Sequence, residues 1–91
     1  MGMYKKKGKI RRKQMSKYYI VAQVWNNRKT EYENKTILET INRNKAQKRF
    51  DAVKVDIDTP MVELFVEGID YDTRLERKVC LERGMVERVV G

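Results

Sequence analysis

The sequence predicts an α+β fold: a small single antiparallel sheet of about four to five strands with one short helix, in the order β-β-α-β-β-β, behind a flexible basic N-terminal tail. Three observations carry this expectation. Lys17–Trp25 concentrates β-branched and aromatic side chains, the composition that fits a pleated surface. Residues 53–58 alternate apolar and polar side chains with a period of two, and Val62, Leu64 and Val66 repeat the inward pattern against Glu63 and Glu67, which puts one face in a core and one in water. Ala46, Phe50 and Val53 keep the i, i+4, i+7 spacing of one helical face.

Taken in order, residues 1–14 hold Tyr4 and Ile10 as their large apolar groups besides methionines, too little to order the segment, so the domain is expected over residues 15–91. Met15-Ser16-Lys17 also reads as an alternative chain start, with residues 1–14 an extension. In the first strand Tyr18, Ile20, Ala22 and Val24 share one face, and Tyr19, Val21, Gln23 and Trp25 the other. Both faces carry apolar area, as in a central strand or one with an aromatic binding face. Asn26-Asn27 supplies turn chemistry. A single helix over residues 34–50 fails, because Ile37 and Ile41 fall opposite Ala46 and Phe50 at about 100° per residue. An irregular second strand over residues 35–41 and a helix from about Arg43 to Ala52 fit better, with Asn42 or Asn44 as N-cap.

Alternation then predicts a third strand, with Val53, Val55 and Ile57 inward, ended by Thr59-Pro60. Val62, Leu64 and Val66 repeat the inward pattern, and the simplest pairing is a hairpin between these two strands. Gly68–Asp72 reads as a turn. Thr73–Glu82 reads as a strand with Leu75, Val79 and Leu81 inward and Cys80 opposite. Met85–Val90 forms a final strand or a single helical turn.

Charge is divided unevenly. Of 21 basic residues in 91, seven lie in residues 1–14 with no acid among them: Lys5, Lys6, Lys7, Lys9, Arg11, Arg12 and Lys13. Residues 15–54 carry nine basic and four acidic residues, and residues 55–91 five and nine. Most of the net charge of +8 is therefore a contiguous cationic segment, the sort of appendage that binds a polyanion. Lys45, Lys48 and Arg49 share an arc of the expected helix. Together with the tail they form the expected nucleic-acid-binding set, and Tyr19 and Trp25 are candidate stacking residues for unpaired bases.

The leading expectation is thus a non-enzymatic nucleic-acid-binding protein, for DNA or RNA, of an accessory or regulatory kind. An acidic protein is an alternative partner for the tail. A second reading is a protein-interaction module, an inhibitor or assembly factor, homodimeric through a sheet edge.

Chemistry is constrained more firmly. The absence of histidine removes imidazole bases and imidazole metal ligands, so no catalytic residue, metal or cofactor is expected. Asp56/Asp58 and Asp70/Asp72 fail as calcium loops because Met61 stands where the loop beginning at Asp56 needs glycine, and Leu81 where the loop beginning at Asp70 needs its carboxylate. Glu76 and Lys78 with Asp58 upstream form a loose metal-nuclease pattern, a remote alternative. A single cysteine, Cys80, favours a reducing compartment. The longest apolar run, Tyr18 to Ala22, is far short of the roughly twenty residues that span a bilayer. A soluble cytoplasmic protein with no membrane partner is expected.

Overall fold

In the computed structural model, residues 16–81 and 85–91 are described; the tail cations Lys5 to Lys13 lie outside them. Strands β1 (Tyr18–Asn26) and β2 (Glu31–Thr40) precede helix α1 (Arg43–Ala52), and β3 (Met61–Val66), β4 (Thr73–Cys80) and β5 (Val86–Val90) follow it. All neighbours are antiparallel, in the spatial order β2-β1-β3-β4-β5. The fold is α+β with the expected element order.

The β1–β2 hairpin closes on an asparagine turn. The Asn26 side chain accepts from the amides of Arg28 and Lys29 at 2.9 and 3.2 Å, and Thr30 takes a left-handed φ of 52°. This turn lets β2 begin at Glu31, four residues before the expected start. Opposite Ile20 and Val21 the register shifts, and this bulge lets both Ile37 and Leu38 pack against the core.

The helix lies on one face of the sheet. The Asn42 carboxamide oxygen accepts from the Lys45 amide at 3.0 Å, which satisfies one of the free first-turn donors. Ala46 and Phe50 are fully buried against Ile20, Ala22, Val62 and Leu64, with Val55 beside them. Among the described residues these seven side chains are the core. Val53, expected on the same helical face, is half-buried at the C-cap.

Two expectations are corrected. Residues 53–58 are not a strand, and β3 pairs with β1 instead of folding back on them. The Asp56 side chain accepts from the amides of Asp58 and Thr59, both at 2.9 Å, and the Asp56 amide donates to the Thr59 carbonyl at 3.0 Å. This local turn competes with a ladder. Val55 reaches the core while Ile57 is left exposed. The sixth element is supplied by β5.

The inner face of β4 is also reversed. Glu76 and Lys78 are buried and Leu81 is exposed, because Glu76 pairs with Leu64 and Lys78 with Val62, on the helix side. A register shift between Leu64 and Phe65 leaves Leu75 as an extra residue, which packs against the core from the bulge. Cys80 stands on the helix side, partly buried against the core. In the turn between β3 and β4, a Cβ on Gly68 would stand 2.1 Å from the Tyr71 carbonyl oxygen, so the close backbone approach requires glycine.

Candidate functional site

Helix α1 concentrates exposed cations. Arg43, Lys45, Lys48 and Arg49 are all exposed, and none forms an ion pair among the described residues. The helix has no acidic residue in its first turn, so Arg43 and Lys45 stand at the positive end of the helix dipole without compensation. Lys45, Lys48 and Arg49 sit at i, i+3 and i+4, where like charges repel. Both features work against helix stability and leave a cationic ridge facing solvent.

The topology brings the start of β1 close to the start of this helix. Tyr18, the first residue of β1, pairs with Thr40, the last residue of β2. The Asn42 amide donates to the Thr40 hydroxyl at 3.0 Å, and α1 starts one residue later. Strand β1 therefore begins at the end of the sheet where helix α1 begins.

Tyr19 and Trp25 are placed elsewhere. They lie on the sheet face opposite the helix, across the sheet from Lys45, Lys48 and Arg49, so the aromatic and cationic candidates do not form one groove. The Tyr19 ring stacks on Phe65 at 5.2 Å and 13°, and its hydroxyl donates to Asp72. Burial and this bond push the Tyr19 hydroxyl up to about 12, while the same bond and the Gly68 amide hold Asp72 below the ordinary carboxylate range. Trp25 meets Tyr32 edge-on at 4.9 Å, and its indole N–H donates to the Asn27 carboxamide oxygen at 2.7 Å. Beside this turn lies a shallow pocket of about 330 Å³ lined by Trp25, Arg28, Glu33 and Lys35 among others. Bonds to Asn26 and then Lys29 lower the Glu33 carboxyl.

A polar network under the C-terminal end of the helix was not legible in the sequence. Glu76 accepts from Arg88 and, at 2.9 Å, from Gln47. Arg88 also donates to Asp51 at 2.7 Å. The Lys78 ammonium donates to the carbonyl oxygens of Val53 at 2.6 Å and Asp51 at 3.3 Å, and lies 5.1 Å from the centre of the Phe50 ring. Desolvation, reinforced by Arg88, lowers the Lys78 pKa against the opposing pull of Asp51 and Glu76. Together these bonds fasten β4 and β5 to the helix. The pairing of Glu76 and Lys78 suggested for a nuclease is thus taken up by α1 and β5. No group of three metal-ligating side chains converges among the described residues, and no helix among them is long and apolar enough to cross a membrane.

No protein family, characterised protein or solved structure matches this chain. Its own geometry is therefore the ground for a functional reading. The basic ridge of α1 is the most concentrated positive charge among the described residues.

Proposed function

We propose that this chain is a small non-enzymatic nucleic-acid-binding protein of an accessory or regulatory kind, in which the basic segment of residues 1–14 and the ridge Lys45, Lys48 and Arg49 grip phosphates together. The observation that supports it best is the uncompensated charge at the start of α1, at the sheet end where β1 begins. Arg43 and Lys45 at the positive end of the dipole, and repulsion among Lys45, Lys48 and Arg49, disfavour that helix electrostatically, and a polyanion lifts the cost by replacing repulsion with counterion release. The folded body fixes the orientation of the grip, and seven further cations in residues 1–14 extend its reach.

The test is fluorescence-anisotropy titration of labelled single- and double-stranded DNA and RNA, from about 50 to 200 mM salt. Affinity falls steeply with salt. Removing residues 1–14, or combining Lys45→Gln, Lys48→Gln and Arg49→Gln, flattens the salt slope, and joining the two changes abolishes binding. No binding at the lowest salt overturns the reading. Equal affinity for polyglutamate transfers the surface to an acidic protein partner.

A further inference from the structure

The second face of the sheet has no layer over it among the described residues. Helix α1 covers one side, while Tyr19, Val21, Met61, Phe65, Val79 and Val89 stand half-buried on the other. Stable domains bury each apolar sheet face against another layer, and a large uncovered apolar patch marks an interaction site. We propose that this face is the interface of a homodimer, in which two copies pack sheet against sheet and leave both basic helices on the outside.

Three observations favour a second copy as the occupant. The first is charge. Within the patch Arg74 and Arg77 are balanced by Glu63 and Glu87, and Arg74 already contacts Glu63 at 3.7 Å. Glu67 and Asp72 add negative charge beside Tyr19. A surface of mixed sign suits a two-fold partner that offers the same residues in reverse, whereas a polyanion needs one positive sign.

The second is unmet hydrogen bonding. The Nε–H groups of Arg74 and Arg77 are buried without an acceptor among the described residues. Such a donor is costly, and a turned guanidinium meeting a carboxylate of the second copy satisfies it.

The third is area. Five strands at about 4.8 Å and about six residues at about 3.3 Å give a face of roughly 500 Å² in projection. The accessible area of protruding side chains exceeds the projection, which brings each copy into the range of the roughly 800 Å² per partner in a standard interface. Two facing sheets about 10 Å apart are also a recurrent stable packing.

The experiment is sedimentation equilibrium of the full chain over a hundredfold concentration range, with Val21→Thr, Phe65→Thr and Val90→Pro compared. Twice the chain mass of 10.9 kDa is expected. Val21→Thr and Phe65→Thr should each raise the dimer dissociation constant at least tenfold while urea unfolding stays cooperative. Gly91 donates inward to the Leu75 carbonyl, so alternation points the Val90 amide out of the sheet edge. Val90→Pro therefore disables pairing through the β5 edge and should leave the face-to-face dimer intact. Three results overturn the proposal: a monomer at every concentration, a dimer that the two face variants leave unchanged whether or not Val90→Pro loses it, or a monomer whose oligonucleotide affinity falls in Phe65→Thr. The last assigns the face to nucleic acid.

Discussion

The Lys78 ammonium donates to the Val53 carbonyl oxygen at 2.6 Å and so closes the C-terminal end of the helix from the neighbouring sheet. The positive charge sits where the helix dipole favours it, beneath a helix whose other end carries uncompensated cations.

Replacing Lys78 with methionine keeps the stem and removes the donors. The loss is expected to be about 1–2 kcal/mol at neutral pH, from two helix-end carbonyls left without partners, measured by urea unfolding. The pH profile adds a second readout. Because the folded value is lowered, the unfolded chain binds more protons between that value and the ordinary lysine pKa of about 10.4. Stability contributed by Lys78 therefore rises with pH across that window, and the rise is absent in Lys78→Met.

Glu76→Gln breaks the bridge between Arg88 and the core face of β4. A fully buried pair would cost about 3–5 kcal/mol, but Arg88 is half exposed, and water takes up part of its charge, so about 1–2 kcal/mol is expected. Combined with Arg88→Met, the double mutant should be less destabilised than the two single losses added, with a coupling above about 1 kcal/mol.

Tyr19 and Asp72 shift in opposite directions through their shared bond. Tyr19 should titrate near 12 in ultraviolet difference spectra, and Asp72→Asn should return it toward the ordinary value of about 10. Stability from the raised Tyr19 is complete below about pH 10 and is lost as pH rises through about 12. Stability from the lowered Asp72 is present above about pH 4 and is lost as pH falls through its folded value. The urea midpoints of parent and Asp72→Asn should therefore converge in acid.

Phe50→Ala empties the centre of a core of seven side chains. Such truncations cost about 3–5 kcal/mol, against a total stability of about 5–15 kcal/mol for an ordinary domain. Circular dichroism should show a thermal midpoint lowered by at least about 12 °C, while Phe50→Leu lowers it by less.

The parts of the fold legible in the sequence were those set by local periodicity. The first strand, the helix, and the inward Val62 and Leu64 follow from spacing alone, and the choice of Asn42 over Asn44 as the helix cap came from the structure. Residues 53–58 misled because an alternating pattern does not exclude a turn held by Asp56. Glu76 and Lys78 misled because charge in a strand reads as a wet face, and their partners Gln47, Asp51 and Arg88 come from α1 and β5. Long-range ion pairs leave no trace in periodicity. In the candidate site, the basic helix arc was readable from spacing, but its separation from Tyr19 and Trp25 became visible only once α1 was placed on the sheet.

The pairing of β1 with β3 has a consequence for assembly. Among the described residues it is the one ladder that joins residues before the helix to residues after it, since β1–β2 and β3–β4–β5 are each built from sequence neighbours. The chain is thus two local meanders zipped along a single seam, and the seam follows the division between its basic and acidic halves. Opposite charge draws the two meanders together before the ladder forms, so the slow step of folding should be salt-sensitive. A chain cut in the loop between Val53 and Pro60 should reassemble from its two pieces, most readily at low ionic strength.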